Sequence, residues 1–136
     1  MRLSENDINL IKQFILEKLS PYFIIIFGTA GRGEMRPDSD IDIAFLSDLH
    51  FEPYELFLLS QELAGQLNRE VDLIDLATVS TVFQAQIVGT GRVIYCRNEY
   101  QRMIFTLTVL KKYARLNEER RPIIERIKER GSVYAK

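Results

Sequence analysis

The sequence predicts an α/β (α+β) domain in which helices pack on a small mixed sheet. Three observations support this fold class. The chain has 136 residues, the usual size of one domain, so residues 1–136 are expected to form a single unit. Its composition, 46% hydrophobic and 27% charged, is typical of a globular protein with a core. Segments with helical periodicity alternate with short apolar runs, which indicates helices packed on a sheet.

The first 46 residues predict one helix and two strands. Ser4, with Asp7 three residues later, is typical of a helix start, and the helix is expected to run to about Leu19. The run "YFIIIF", residues 22–27, is rich in β-branched and aromatic residues and predicts a buried strand. The run "DIDIAFL", residues 40–46, predicts a second strand.

The middle of the chain predicts a second helix, a third strand and a short helix. Pro53 suits the first turn of a helix, where its missing N–H costs nothing. The core face of that helix is predicted from leucines at helical spacing: Leu56, Leu59, Leu63 and Leu67. The run "EVDLIDL", residues 70–76, predicts a strand, and a short helix is expected over about 80–88, ended by Gly89. Residues 92–96, "RVIYC", could add an edge strand.

The last part of the chain predicts two helical pieces. Apolar residues at helical spacing indicate a long helix over about residues 99–118. The run "NEERRP", which ends at Pro122, is expected to break it, and a last helical piece would carry Ile123, Ile124 and Ile127.

Composition and charge disfavour several classes of protein. The net charge of -1 and the pI near 5.9 argue against a dedicated nucleic-acid surface, so no direct nucleic-acid binding is expected. The single cysteine, Cys96, cannot form an internal disulfide, which fits a reducing cytosol. The apolar runs are too short to span a bilayer, and the N-terminus lacks a signal-peptide core. We therefore expect a cytoplasmic protein that does not bind membranes.

Two aspartates, Asp40 and Asp42, begin the second predicted strand. Strand residues two apart point to the same face, so their carboxylates should project together. Like charges at this separation repel unless a cation lies between them. Mg²⁺ prefers oxygen ligands and often joins one or two carboxylates to substrate phosphates. When two aspartates at this spacing stand alone, the alternative to a metal site is that they cap a turn and are exposed to solvent.

A glycine-containing segment precedes these aspartates. Gly28 lets the backbone approach a ligand closely, successive N–H groups can form an anion-binding concavity, and Thr29 adds a hydroxyl donor. A donor-lined turn beside paired carboxylates suits a nucleoside triphosphate with its Mg²⁺. Arg32 could contact phosphate or solvate the loop, and Ser39 could orient the adjacent acid or act as an ordinary turn residue.

A third carboxylate should complete such a site. The candidates are Asp72 and Asp75 in the run "VDLID". They are three residues apart in a predicted strand, so they face opposite sides and only one can point toward the first pair. Alternation alone leaves both open.

The stretch "FGTAGRGEMRPDSDIDIAF" resembles the signature of the minimal nucleotidyltransferases (MNT proteins) of the polymerase-β-like nucleotidyltransferase superfamily. The pattern is Gly28-Thr29, ten intervening residues, then Asp40-Ile41-Asp42. The resemblance covers nearly the whole chain and implies the nucleotidyltransferase fold. Thr29 stands where the family usually has serine, and the hydroxyl is kept.

The resemblance also implies site residues. It places the third carboxylate at Asp72. Beside these acids, we expect four residues to bind the nucleotide: Gly28, Thr29, Arg32 and Ser39. Asp40, Asp42 and Asp72 would be the catalytic acids and would hold two Mg²⁺ ions, with ATP as the substrate.

MNT proteins are commonly antitoxins paired with HEPN ribonuclease toxins, which they neutralise by transferring AMP to a tyrosine. The resemblance therefore implies a Mg²⁺-dependent protein adenylyltransferase that forms a hetero-oligomer with its cognate HEPN toxin. Two alternatives are a non-catalytic antitoxin that acts by complex formation and a small-molecule nucleotidyltransferase. The latter usually needs a larger substrate domain than this chain provides.

Overall fold

The computed structural model describes residues 3–28 and 40–129, with side chains through residue 119. In chain order the described elements are α1 (Glu5–Leu19), β1 (Phe23–Phe27), β2 (Ile41–Leu46), α2 (Pro53–Leu67), β3 (Val71–Asp75), α3 (Thr81–Thr90), β4 (Arg92–Cys96) and α4 (Glu99–Glu129). Every strand predicted from the sequence is present within two residues of its expected bounds.

The described strands form one mixed sheet in the order β3-β2-β1-β4. β1 is antiparallel to both β2 and β4, whereas β2 and β3 are parallel. A parallel pair needs a crossover connection, and α2 provides it between β2 and β3. The prediction of a small mixed sheet with packed helices is confirmed, and "RVIYC" is an edge strand as expected.

Helices cover both faces of the sheet. The first face packs on α1 and α2 through a cluster that includes Ile15, Ile43 and Leu63. The second face packs on α3 and α4 through a cluster in which Ala44 and Ile87 are buried. Because side chains alternate along a strand, residues 42 and 72 lie on the second face, which α3 and α4 cover.

The helix starts predicted at Ser4 and Pro53 are confirmed. The Ser4 hydroxyl accepts a hydrogen bond from the Asp7 N–H at 3.1 Å, which caps α1. Pro53 occupies the first turn of α2, and Glu52 and Glu55 close a reciprocal capping box in front of it. These contacts satisfy backbone donors that have no partner inside a helix.

The expected end of the short helix at Gly89 is wrong. α3 continues to Thr90, and Gly91 is its cap, with the Gly91 N–H bonded to Ile87 O at 2.8 Å. A Cβ at residue 91 would meet the Ile25 side chain and would lie 2.6 Å from Ile87 O. Tertiary contact therefore requires glycine at residue 91, whereas Gly89 meets open space within the helix and costs only about 1 kcal/mol relative to alanine.

The expected break at "NEERRP" is also wrong. The backbone of α4 is helical without interruption from Glu99 through Glu129, and Pro122 lies inside it. An internal proline removes one hydrogen bond and either kinks or breaks a helix. The flanking glutamates, arginines and lysines are strong helix formers, so helix continues on both sides of the proline.

Candidate functional site

The site is built where three strands meet at one end of the sheet. In the antiparallel pair, Asp42 lies opposite Phe27, the last residue of β1. In the parallel pair, Asp42 lies opposite Asp72 of β3. The two aspartates are thus on neighbouring strands, in register and on the same face, and their side chains are hydrogen-bonded to each other.

Gly28 follows β1 and lies against Asp42. Its φ is +68°, in the left-handed region that glycine adopts without strain. A Cβ at this position would lie 2.5 Å from Oδ2 of Asp42, closer than real Cβ contacts allow. The glycine is therefore required both by its backbone conformation and by the carboxylate beside it.

The electrostatics of this pair favour a cation. The pKa of Asp42 is raised from 3.8 to about 6, first by burial and then by the charge of Asp72, the hydrogen bond to Asp72 and the charge of Asp40. A hydrogen bond between two carboxyl groups needs a proton on one of them. A bound divalent cation would replace that proton and remove the repulsion.

Asp40 lies just before β2 and is exposed. Its charge acts on Asp42, but it is not part of the hydrogen-bonded pair. Among the side chains that the structure describes, residues 3–28 and 40–119, no three or more of His, Cys, Asp or Glu converge to hold a metal ion. Mg²⁺ usually completes its coordination with water and substrate phosphates around one or two carboxylates, and the pair Asp42 and Asp72 fits that mode.

Asp75 is on the opposite face of β3 from Asp72. It is 6% exposed, and its Oδ1 accepts a hydrogen bond from the Ala77 N–H at 3.0 Å. The Asp75 carbonyl accepts hydrogen bonds from the N–H and the hydroxyl of Thr78. Asp75 therefore organises the turn after β3 and does not join the carboxylate pair.

Three of the predicted nucleotide-binding residues, Thr29, Arg32 and Ser39, lie outside the described residues. Of the predicted site, the structure brings Asp42, Asp72 and Gly28 together and places Asp40 at its rim.

A groove of about 460 Å³ runs beside Asp72, and no sequence pattern predicted it. Its floor is β3, and one wall is the loop before α2 and the first turns of that helix. It is lined by His50, Phe51, Pro53, Leu56, Phe57, Ser60, Asp72, Leu73, Ile74, Asp75, Thr78 and Val79. One signal could have revealed it: Phe57 is apolar but lies off the leucine face of α2, and it is 56% exposed.

Exposed apolar side chains also mark α4. Five large apolar residues of this helix are exposed at spacings of one to four residues: Tyr100, Met103, Ile104, Leu107 and Leu110.

In the part of the chain that the structure describes, no helix is both long enough and apolar enough to cross a membrane.

Comparison with known proteins places this geometry in a family. The family model "Polymerase beta, Nucleotidyltransferase" matches residues 9–100, which include β1 to β4 as well as Asp40, Asp42 and Asp72. The protein adenylyltransferase MntA of Shewanella oneidensis is 32% identical over 124 residues, which are 91% of this chain and 87% of that protein.

Solved structures with a similar fold come from the same group of proteins as the sequence relative. A chain in the crystal structure of a toxin–antitoxin with AMP-PNP has a TM-score of 0.81 and 30% identity, covering 88% of this chain and 97% of that chain. A chain in the structure of a tri-AMPylated Shewanella oneidensis HEPN toxin in complex with an MNT antitoxin has a TM-score of 0.77 and 27% identity, covering 92% and 98%. This chain thus belongs to the polymerase-β-type nucleotidyltransferase family, and its sequence and fold are similar to MntA over nearly the whole length.

Proposed function

We propose that this chain is an antitoxin-type protein adenylyltransferase that transfers AMP from ATP to a tyrosine hydroxyl of a cognate HEPN toxin and thereby neutralises it. The observation that carries the proposal is the register of Asp42 opposite Asp72, which joins their carboxyl groups beside Gly28. The relatives support it, because they include a protein adenylyltransferase and a complex of an AMPylated HEPN toxin with an MNT antitoxin.

The carboxylates would hold Mg²⁺. Asp42 and Asp72, with Asp40 at the rim, supply hard oxygen ligands, and two Mg²⁺ ions are proposed. When bound, Mg²⁺ neutralises charge on the triphosphate and on the departing pyrophosphate and favours ionisation of the acceptor hydroxyl. The raised pKa of Asp42 fits this assignment, because a carboxylate pair that repels in the free protein is stabilised by a cation.

The reaction forms one bond and breaks another. The acceptor oxygen bonds to the α-phosphorus of ATP, and the bond between that phosphorus and the oxygen bridging to the β-phosphate breaks. Pyrophosphate leaves, and the hydroxyl proton passes to the Asp72 carboxylate and then to water. Gly28 allows the backbone to approach the phosphates, and Thr29, Arg32 and Ser39 are proposed to contact the nucleotide.

A protein acceptor suits the surface better than a small molecule. Large apolar side chains remain exposed at two places, at Phe57 beside the groove and on α4. Contiguous apolar surface on a globular protein marks sites of protein contact. We propose a hetero-oligomer with the toxin, acting in the cytoplasm.

Label transfer tests the proposal. The protein is incubated with ATP labelled at the α-phosphate, Mg²⁺ and the product of the adjacent reading frame, which the proposal expects to be a HEPN toxin. We expect label on the toxin with the unmodified chain and with Asp48→Asn, and none with Asp42→Asn. Asp48 is a matched control, because it is an exposed acid in the loop after β2. Toxin neutralised without any label transfer would instead show a non-catalytic antitoxin.

A further inference from the structure

β3 is an edge strand whose outer side opens into the groove. It pairs with β2 on one side, and no strand among the described residues lies on the other. Ile41 N–H bonds to Glu70 O, and Leu76 N–H bonds to Phe45 O, so residues 70 and 76 direct their backbone groups toward β2. Backbone groups alternate in direction along a strand, so the N–H and C=O of Leu73 point away from β2 and into the groove.

The groove is apolar where it faces this edge. Its α2 wall presents Phe51, Leu56 and Phe57 opposite the backbone of residues 72–75. Phe57 is 56% exposed and lines the groove together with Phe51 and Leu56, so these side chains form one apolar wall. An unpaired strand edge next to apolar side chains is the arrangement that binds an extended peptide as an added strand.

The groove is continuous with the carboxylate pair, because Asp72 belongs to both. Asp72 lies on the α3 and α4 face of the sheet, whereas α2 covers the other face. In an added strand, a residue beside Asp72 would therefore point toward the carboxylates. Its two chain neighbours would point to the opposite face, against Phe57 and Leu56.

We propose that an extended segment of the acceptor protein pairs with β3 through Leu73 as a fifth strand, placing its hydroxyl-bearing residue beside Asp72 and its apolar neighbours against Phe57. This inference rests on the proposed function and adds how the acceptor is chosen: main-chain hydrogen bonds hold the segment, and apolar residues flanking the acceptor position select it. The groove volume of about 460 Å³ suits the side chains of such a segment.

Two measurements test the segment's position. The first compares Phe57→Ala with Leu58→Ala in label transfer to the toxin. Leu58 is 49% exposed on the same helix but does not line the groove, so it is a matched control. We expect Phe57→Ala to raise the KM for the toxin roughly tenfold, the effect of losing one well-packed aromatic contact. The KM for ATP and the melting temperature should stay unchanged. No change in the KM for the toxin with Phe57→Ala, or an equal rise with Leu58→Ala, would overturn the inference.

The second measurement is amide hydrogen exchange, which does not depend on catalysis. The chain is mixed with the toxin and an ATP analogue that carries a methylene bridge between the α- and β-phosphates, so no AMP is transferred. We expect slower exchange at residues 73 and 75 on complex formation and unchanged exchange in β4, the other free edge of the described sheet. Protection in β4 with none in β3 would overturn the inference. Failure of the unmodified chain to label any toxin would instead contradict the proposed function, so the two failures are distinguishable.

Discussion

Asp42 lies opposite Asp72 in the parallel β2–β3 pair, whereas Asp75, three residues further along β3, lies opposite Phe45. The first two aspartates share a face and a hydrogen bond. The third is buried on the other face and holds the turn that follows the strand. The two acids of this short strand therefore have different surroundings. Asp72 lies at the candidate site, and Asp75 stabilises the turn after β3.

Substitution of the two β3 acids should separate these purposes. We expect Asp72→Asn to lower AMP transfer roughly 100-fold or more, because a charge that stabilises the transition state is lost. Asp75→Asn should retain transfer, because its remaining side-chain oxygen can still accept the Ala77 N–H. Asp75→Ala should lower the free energy of unfolding by about 1–3 kcal/mol, the cost of an unpaired buried donor. Transfer rates and urea unfolding check both, and abolition of transfer by Asp75→Asn alone would reverse the assignment.

Glycine substitutions offer a paired test of the turn after β1. Gly28→Ala should lower the free energy of unfolding by about 1–3 kcal/mol and abolish transfer, because the residue has positive φ and its Cβ would strike the Asp42 carboxylate. Gly65→Ala is the control. Residue 65 lies in α2 with nothing within 4 Å of its Cβ, so alanine should stabilise by about 0.5–1 kcal/mol. If the Gly28→Ala variant were as stable as the unmodified chain, a Cβ at residue 28 would fit beside Asp42, and the prediction would be wrong.

Stability should depend on pH through Asp42 in the absence of metal. Its pKa in the folded chain, about 6, lies above the ordinary value of 3.8, so the folded state binds the proton more tightly. The resulting stabilisation is complete below about pH 3.8 and is lost as pH rises through about 6. Because the carboxyl is partly exposed, solvent screening reduces the effect to on the order of 1 kcal/mol.

Urea unfolding in EDTA at pH 5 and pH 8 measures this change. Asp42→Asn should remove the change that Asp42 contributes and should be the more stable protein at pH 8. Asp48→Asn, in the exposed loop after β2, should retain the pH dependence of the unmodified chain. An Asp42→Asn variant with undiminished pH dependence would assign the titration to another group.

Metal removal should distinguish Asp42 from Asp40. EDTA should abolish transfer, and Mg²⁺ should restore it and raise the melting temperature of the unmodified chain. We expect Asp42→Asn to eliminate that rise and Asp40→Asn to reduce it only in part, because Asp40 is exposed and outside the hydrogen-bonded pair. Transfer that persists in EDTA after dialysis would contradict the proposed metal dependence.

Much of the fold follows from local patterns. β-branched runs predicted β1 and β2, Ser4 and Pro53 marked helix starts, and leucine spacing defined the core face of α2. These predictions succeed because period and capping are properties of neighbouring residues. The prediction at Gly89 fails because a helix end also depends on what the chain contacts next, as the close packing at Gly91 shows. The prediction at Pro122 fails because strong helix formers on both sides of the proline continue the helix.

The amino-acid sequence by itself determined the kinds of element and the opposite faces of Asp72 and Asp75, because side-chain alternation is a local property of strands. Side-chain alternation left both Asp72 and Asp75 open, and the family resemblance implied Asp72. The tertiary structure places Asp72 opposite Asp42, and it alone reveals the groove beside this pair. Both depend on the register of two parallel strands joined through α2, and that register is set by packing between residues far apart in the chain.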